Sequence, residues 1–494
     1  MFESAELGHA VSKASYARAV PKLRSALLDA QYDLFENGRF PVIILISGVD
    51  GAGKGETIHL LNEWMDPRHI HTAAFDGPSD EERERPPMWR YWRALPPRGK
   101  IGILFGHWYA DPILQRVDGG IKRSQLGQRI EEIKRFEHML TDEGALILKF
   151  WFHLSKSAQK KRLKALEKDP RTRWRVRDTD WERFRLYDKF REVAEFTLRH
   201  TSSASAPWIP VEGADAFYRN LTVGRTLLAA LRERLDQKPV RKMEDRIPPL
   251  PPPIDNRHVL SSLDLTVKID RKAYANLRER YQGLLNQLSR SPKFRQRSVI
   301  VAFEGNDAAG KGGAIRRVTA ALDARQYSII PVAAPSEEER AQPYLWRFWR
   351  HVPRHGRFAL FDRSWYGRVL VERVEGLARE QDWARAYAEI NDFEQQLADN
   401  GAIVVKFWLA ISKEEQYRRF KEREQTAFKR FKITPEDWRN RKKWEAYETA
   451  VCDMVDRTST GIAPWTLVEA NDKLHARIKV LKTLCERMEA ELKR

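Results

Sequence analysis

Long apolar runs and cysteines are scarce in this sequence, and each scarcity excludes a class of protein. No run of about 18 apolar residues occurs, so we expect neither a membrane-spanning helix nor a membrane partner. The amino-terminal stretch MFESAELGHAVSKASYARAV has early acidic residues and no apolar segment, which argues against a signal peptide. The two cysteines, Cys452 and Cys485, form neither a C-x-x-C pair nor a metal-ligand spacing. These absences predict a protein of the reducing cytoplasm.

Acidic residues are outnumbered by basic ones. The chain has 88 Lys and Arg against 69 Asp and Glu, a formal net charge of +19. A basic surface of this size indicates a polyanionic partner, and nucleic acid and inorganic polyphosphate are both candidates. The alternative that needs no partner is a set of solvated helix faces rich in arginine.

A glycine-rich motif occurs twice in the chain. SGVDGAGKGE begins at Ser47 and EGNDAAGKGG begins at Glu304, 257 positions further on. The same offset relates WRYWRALP at Trp89 to WRFWRHVP at Trp346. This pattern indicates the tandem duplication of a domain, because the period is too long for a solenoid repeat.

The stretch RIPPLPPPIDNRHVL between the two copies is rich in proline and reads as a stiff linker. We therefore predict a first domain over 1–240, a linker over 241–255 and a second domain over 256–494.

Each copy alternates short apolar runs with amphipathic stretches. In the second copy SVIVAFE, SIIPVAA, FALF, AIVVKFWLA and PWTLV are typical of buried parallel strands. Helices are predicted between them at 312–323, 379–399, 412–424, 438–456 and 474–492. The alternation predicts a three-layer α/β fold with a ligand at the carboxyl ends of the strands. The Arg- and Trp-rich segment 334–357 is interpreted as a mobile lid.

The second glycine-rich motif nearly matches the phosphate-loop pattern G-x-x-x-x-G-K-[ST]. A strand precedes it and a helix follows it, which is the context that a phosphate loop requires. The match extends through Lys311, which would reach the transferred phosphate, and fails where glycine replaces the magnesium-binding Ser or Thr. The backbone groups of the loop would approach the oxyanion. The residues predicted to form this cradle are Gly305, Asn306, Gly310, Gly312 and Gly313.

Two acidic residues are candidates for the metal-binding role that Gly312 cannot fill. Asp307 lies inside the loop, and Asp362 follows the strand RFALF. An Asp at the end of a buried strand is a usual companion of a phosphate loop. We predict that both carboxylates hold Mg²⁺.

Basic residues are dense around these acids. Guanidinium groups bind phosphate as a fork and stabilise charge on a transferring phosphoryl group, and Arg363 is the first candidate for this role. So many cations favour a chain of phosphates as substrate, although several could be ordinary surface charges. The other predicted substrate-binding residues are Arg316, Arg347, Arg350, Arg368, Arg423, Lys429 and Lys432.

Four motifs in one order, EGNDAAGKGG, WRFWRHVP, FDRSWYGRVLVERV and APWTLVEANDKLHAR, resemble those of the family-2 polyphosphate kinases. The resemblance covers nearly all of the second copy and, more weakly, the first. It implies a P-loop kinase fold similar to thymidylate kinase, and Mg²⁺-dependent phosphate transfer between inorganic polyphosphate and nucleotides. It also implies catalytic roles for Asp307, Lys311, Asp362 and Arg363, and polyphosphate binding by Arg423.

The resemblance further implies the acceptor, since members with two fused domains resemble the branch that phosphorylates AMP to ADP. Three alternatives stay open: polyphosphate-dependent phosphorylation of ADP or GDP, an ATP-dependent nucleotide kinase, and a P-loop protein that binds nucleic acid. We expect no nucleic-acid partner. The sequence leaves the oligomeric state open, a homo-oligomer included.

The first copy differs from the second at the chemical positions. The offset keeps Asp50 and Lys54, but it places Phe105 and Gly106 where the second copy has Asp362 and Arg363. Since phenylalanine cannot bind a metal, we predict that the first copy is inactive and serves as a structural or polyphosphate-guiding partner.

Overall fold

A computed structural model of the chain describes residues 1–237, 259–427, 431 and 433–493. The predicted linker over 241–255 lies outside the described residues, as do Lys429 and Lys432. Among the helices that are described, none has the length and apolar character needed to cross a membrane.

The first repeat folds around a five-stranded sheet. The order across the sheet is β2-β3-β1-β4-β5, and every recorded strand pair is parallel. Its strands are β1 Val42–Gly48, β2 Ile70–Ala74, β3 Ile101–Phe105, β4 Leu146–His153 and β5 Trp208–Glu212. Its α-helices are α1 Lys13–Asn37, α2 Lys54–Trp64, α3 Asp80–Arg83, α4 Trp89–Arg93, α5 Ala110–Asp118, α6 Arg123–Asp142, α7 Lys156–Lys168, α8 Asp178–Arg185, α9 Tyr187–Thr201 and α10 Ala216–Asp236.

The second repeat has the same topology. Its sheet order is β7-β8-β6-β9-β10, again with parallel pairing, so the predicted duplication and parallel α/β fold are confirmed. Its strands are β6 Ser298–Gly305, β7 Tyr327–Pro331, β8 Phe358–Asp362, β9 Ala402–Ala410 and β10 Trp465–Glu469. Its α-helices are α11 Arg271–Arg290, α12 Lys311–Thr319, α13 Glu337–Arg340, α14 Trp346–Trp349, α15 Val371–Val374, α16 Glu380–Asp399, α17 Lys413–Gln425, α18 Pro435–Lys442, α19 Trp444–Thr458 and α20 Lys473–Lys493.

The core of the second repeat explains why the central strand β6 is apolar from Val299 to Phe303. Val299, Val301 and Phe303 of β6 pack in one cluster with Leu481 and Leu484 of α20. The residues between them on the strand are buried as well, because helices cover both faces of a parallel sheet. The prediction of a buried strand is wrong for β7, whose residues are largely exposed. This strand pairs with β8 alone and forms an edge of the sheet.

One predicted helix is in fact two. The stretch 438–456 was expected to be continuous, but α18 ends at Lys442 and α19 begins at Trp444. Lys443, between them, has φ −98° and ψ 27°, outside the regular helical geometry. The sequence has no proline or glycine at the break, so the pattern gives no sign of it.

The segment 334–357, predicted to be a lid, is anchored by its aromatic residues. The side chains of Trp346, Phe348 and Trp349 are buried. By its contacts the chain divides into two compact units, and Pro335–Trp346 is grouped with Met1–Pro78 and Arg90–Val240. The second unit comprises Ser79–Trp89, Arg241–Ala334 and Arg347–Arg494. The mobility of the segment stays a prediction.

A buried charge network fixes the turn that follows β8. Lys406 Nζ lies 2.8 Å from Glu394 and donates to the Thr458 carbonyl at 2.7 Å. The same carboxylate accepts hydrogen bonds from Trp365 Nε1 and from the Tyr366 hydroxyl. Burial raises the pKa of Glu394 and lowers that of Lys406, but the mutual attraction opposes both shifts. A matching pair, Lys149 and Glu137, occupies the first repeat, so the network belongs to the fold.

Candidate active site in the second repeat

The glycine-rich loop leaves β6 and leads into α12, as the sequence predicts. Gly305 has φ 146°, and a Cβ there would lie 2.4 Å from the Leu409 carbonyl oxygen, so no side chain fits. Gly310, at φ 112°, is the N-cap of α12, which begins at Lys311. The loop thus presents backbone N–H groups and the positive end of a helix to the same space.

Lys311 is folded back over this loop. Its Nζ donates to the carbonyls of Gly305 at 2.7 Å and Asn306 at 3.3 Å. Burial lowers the pKa of this ammonium, and the neighbouring Arg363 guanidinium lowers it further, while Asp307 and Asp362 act in the opposite direction. The cation is therefore held at the loop by carbonyls and carboxylates together.

Asp307 connects the loop to two other elements. Its Oδ1 accepts a hydrogen bond from Arg363 Nη2 at 2.9 Å, and its Oδ2 accepts one from Asn440 Nδ2 of α18 at 3.0 Å. Asp362 ends β8, where it pairs in register with Phe303 of β6. Because β6 and β8 are adjacent parallel strands, their carboxyl ends bring Asp307, Lys311, Asp362 and Arg363 to one place.

The backbone of Arg363 is strained. Its φ of 64° lies in the left-handed region, which costs a residue with a Cβ about 1–2 kcal/mol. Burial lowers the pKa of its guanidinium, but the carboxylates of Asp307, Glu304 and Asp362 outweigh this effect and raise the pKa above its ordinary value. The strained conformation directs the permanently charged, planar guanidinium of Arg363 at the Asp307 carboxylate.

Beneath these residues lies a buried acid that the sequence reasoning did not select. Glu304, 5% exposed, accepts a hydrogen bond from Ser364 Oγ at 2.8 Å. Burial raises the pKa of this carboxyl, and the charge of Lys311 opposes the shift. The sequence signal for Glu304 was an acid at the second-last position of a strand that is mostly apolar.

The loop and the acids line a cleft of about 660 Å³. Of the predicted site residues, the structure brings nine to it: Asp307, Gly310, Lys311, Gly312, Gly313, Arg316, Asp362, Arg363 and Arg423. Charged residues outside the predicted site set also line it: Arg419, Glu422, Asp437, Lys473 and Arg477. The cations outnumber the acids on the wall that faces the loop, which suits a ligand with several negative charges.

Five predicted residues do not line this cleft. Gly305 and Asn306 support it through the bonds of Lys311 described above. Arg347 donates to the Ala333 carbonyl at 3.0 Å, and Arg368 pairs with Glu372 at 2.7 Å. Arg350 is exposed on the predicted lid. Roles for these three arginines in substrate binding stay predictions.

Comparison with known families identifies the fold. A model of the family described as polyphosphate kinase 2 matches residues 10–239 and 268–494, one stretch in each repeat. The chain belongs to the polyphosphate kinase 2 family. It is also similar to a crystal structure assigned to polyphosphate kinase 2 of Pseudomonas aeruginosa PA01, with a TM-score of 0.91, 57% identity and 100% of both chains covered. The expected P-loop kinase fold with parallel sheets is confirmed.

Named relatives of this polyphosphate kinase 2 chain differ in how much of it they match. A polyphosphate:AMP phosphotransferase of Pseudomonas aeruginosa is 60% identical over 494 residues, 100% of both chains. An ADP-polyphosphate phosphotransferase of the same organism is 37% identical over 225 residues, 46% of this chain and 74% of its own.

The two repeats of this polyphosphate kinase 2 chain have different loop surroundings. In the first, Lys54 Nζ lies 3.2 Å from Asp50, and the charge of this lysine lowers the pKa of the Asp50 carboxyl. Phe105 and Gly106 stand where the second repeat has its β8 acid and strained arginine, and burial lowers the pKa of the next residue, His107, to about 3. The first repeat thus has the loop lysine without the second acid.

Proposed function

We propose that this chain transfers the terminal phosphate of inorganic polyphosphate to AMP, giving ADP, and that the second repeat performs the transfer. The supporting observation is the single cleft that combines a phosphate loop, two carboxylates and a wall of arginine and lysine. A nucleoside triphosphate needs only a few such cations, whereas a polyphosphate chain engages many. The choice of AMP follows the name of the full-length relative, since relatives named for ADP match less than half of this chain.

The residues present fit a magnesium ion of the kind that phosphoryl transfer uses. Mg²⁺ is usually held by one or two carboxylates together with substrate phosphates and water, and Asp307 and Asp362 supply this pair. Each Asp307 oxygen accepts one hydrogen bond and retains a second lone pair. Within the described part of the chain, no group of three or more potential metal-ligating His, Cys, Asp or Glu residues occurs, so an all-protein cage is not the alternative there. When bound, the ion supplies neutralisation of phosphate charge.

The protein groups have separable roles in this proposal. The loop N–H groups and Lys311 bind the phosphoryl group that is transferred, and Arg363 stabilises the charge that develops on it. Arg423 lines the cleft on α17 and would hold the remaining phosphates of the chain. Gly312, at the usual hydroxyl position, leaves the metal to the two carboxylates. The catalytic and substrate-binding assignments made from the sequence are kept as part of this proposal.

The test varies both the phosphate donor, polyphosphate or ATP, and the nucleotide acceptor. The purified chain is incubated with Mg²⁺ and polyphosphate, and with AMP, ADP, GMP or GDP, and the nucleotides are separated by chromatography. We expect ADP from AMP. If ATP forms from ADP while AMP is untouched, the acceptor is wrong and the donor stands. If ATP serves as donor and polyphosphate does not, the polyphosphate assignment itself is refuted.

The remaining expectations belong to the same proposal. We infer a cytoplasmic protein that does not use nucleic acid as its ligand. Competition between polyphosphate and single-stranded DNA for the purified chain would show which polyanion it prefers.

A further inference from the structure

The phosphate loop of the first repeat has the backbone of a working loop. Lys54 Nζ donates to the carbonyls of Gly48 at 2.7 Å and Val49 at 3.0 Å, as Lys311 does at the equivalent carbonyls of the second repeat. Gln159 also donates to the carbonyl of the loop acid, Asp50, at 3.0 Å. Nothing in the backbone of this loop excludes a phosphate.

A side chain of the first repeat occupies the space beside this loop. Arg219 of α10 is 2% exposed, and its guanidinium lies against Gly53, where an added Cβ would be 1.9 Å from Nη1. The same guanidinium donates to Glu56 Oε2 at 2.9 Å and approaches the carbonyls of Ala52 at 3.4 Å and Gly213 at 3.5 Å. Arg219 thus fills the inner side of the loop.

Among the described residues of the second repeat, no side chain fills the equivalent place beside Gly310, although Arg477 of α20 approaches the loop at Gly313, where an added Cβ would lie 3.5 Å from its Nη2. The 257-residue offset relates Gly53, Glu56 and Arg219 to Gly310, Gly313 and Ala476, and all three of the latter line the cleft of about 660 Å³. A Cβ added at Gly310 would meet no heavy atom within 4 Å, apart from those of its own chain neighbours and helix. Replacing a glutamate and an arginine by glycine and alanine therefore opens the space that the pair fills in the first repeat.

Both repeats nevertheless use a guanidinium to hold the same two carbonyls. In the second repeat Arg419 of α17 donates to Ala309 at 3.0 Å and Ala470 at 2.7 Å, the equivalents of Ala52 and Gly213. Glu415 holds that arginine at 2.5 Å.

In the first repeat the equivalents of this pair are Arg162 and Ala158, and Arg162 instead lies 3.2 Å from Glu56. The guanidinium that holds the loop carbonyls of the first repeat consequently comes from α10 and not from α7, the equivalent of α17.

The charges explain how a cation is tolerated at this place. The first turn of α2 repels a guanidinium, because its free N–H groups form the positive end of the helix dipole. Glu56 lies in that first turn and neutralises Arg219. Burial lowers the pKa of Arg219, and Glu56 opposes the shift. Glu56 is shared with Arg162 and Arg175, whose guanidinium groups lie 3.2 and 3.5 Å from its Oε1. Arg219 and Glu56 form an ion pair at the place where an oligophosphate would otherwise be bound.

We propose that Arg219 and Glu56 close the phosphate loop of the first repeat, so that the chain has one open oligophosphate loop, not two. Removal of the pair opens a second oligophosphate site. The proposal concerns binding in the first repeat and is independent of the acceptor and of turnover in the second.

The experiment counts binding sites. Inorganic tripolyphosphate is titrated by calorimetry, at physiological ionic strength to suppress weak surface binding, into the wild type and into Glu56→Gly/Arg219→Ala, which introduces the residues of the second repeat. We expect the double variant to bind one more tripolyphosphate per chain than the wild type, with polyphosphate turnover unchanged. An Arg219→Ala control keeps the Glu56 carboxylate in the loop and should gain no site.

The experiment measures the difference in the number of sites between the double variant and the wild type. A failure of the proposed function would remove the second-repeat site from both proteins and leave this difference unchanged. The two failures can therefore be distinguished. A wild type that already binds two, or a folded double variant that gains none, overturns the closure. Should the double variant not fold, Gly313→Glu/Ala476→Arg installs the pair in the second repeat. Its circular dichroism should be native and its tripolyphosphate site lost; a retained site overturns the proposal.

Discussion

The strained arginine of the second repeat allows catalysis and stability to be separated by a matched pair of variants. Arg363→Ala and Arg363→Gly both remove the guanidinium and its 2.9 Å bond to Asp307. Because this arginine is 44% exposed, its ion pair contributes no more than about 1 kcal/mol, and both variants lose it equally. Only the backbone cost distinguishes the two.

That cost can be worked from the backbone angle. At φ 64° a Cβ costs about 1–2 kcal/mol, which alanine keeps and glycine relieves. The greater freedom of glycine in the unfolded chain offsets about 0.4–1 kcal/mol of that relief. We expect Arg363→Gly to be more stable than Arg363→Ala by about 1 kcal/mol. In a domain of this size such a difference raises the Tm by about 2–4 °C, which scanning calorimetry resolves.

The effect on catalysis should be the same in both variants. Loss of one preorganised charge contact to a developing oxyanion typically lowers turnover by about 10²–10³. Turnover is measured as ADP formed from AMP and polyphosphate at saturating substrate. An Arg363→Gly variant less stable than Arg363→Ala would refute the strain at position 363. A loss of turnover below about tenfold in both would refute contact between the guanidinium and the transferred group.

Three further predictions follow from the same structure. Lys311→Ala should lower turnover by about 10²–10³, whereas Lys54→Ala should change it little; equal losses in two folded proteins would show that the first repeat is active. The Michaelis constant for polyphosphate should rise steeply with salt, and a constant value would argue against a basic channel. Lys406→Met should destabilise the fold by about 3–5 kcal/mol in calorimetry, because it leaves the charge of Glu394 buried and unpaired, and a Tm within 2 °C or so of the wild type would contradict this.

The elements that could be predicted from the sequence are those whose signal is local. The predicted strand AIVVKFWLA coincides with β9, Ala402–Ala410, because a strand covered on both faces is apolar at nearly every position, Lys406 being the exception here. The same reasoning failed at β7, since an apolar composition does not reveal that a strand lies at the edge of the sheet. The break at Lys443 was missed because neither proline nor glycine marks it, and a single residue with non-helical angles leaves no signal in the sequence.

The site residues also divide into those with a local sequence signal and those without one. Asp307, Lys311, Asp362 and Arg363 could be grouped in advance, because each follows a strand and parallel strands end at one edge. Asn440 could not, since its bond to Asp307 joins residues 133 positions apart on a helix whose direction depends on a break without a sequence signal. The contacts of Arg419 with loop carbonyls likewise depend on which helix faces the loop, and composition does not determine this.

The backbone itself indicates that the two repeats are unequal. Among the described residues, the non-glycine residues with positive φ are Ala308 and Arg363, both at 64° and both at the cleft of the second repeat. Their equivalents in the first repeat are Gly51 at φ 80° and Gly106 at φ 69°, so the fold keeps the left-handed turns and glycine removes their cost. Strain that persists in one copy and is relieved in the other has no explanation in the fold, which the two copies share. It is explained if the side chains of the second copy, Arg363 above all, are needed at the cleft.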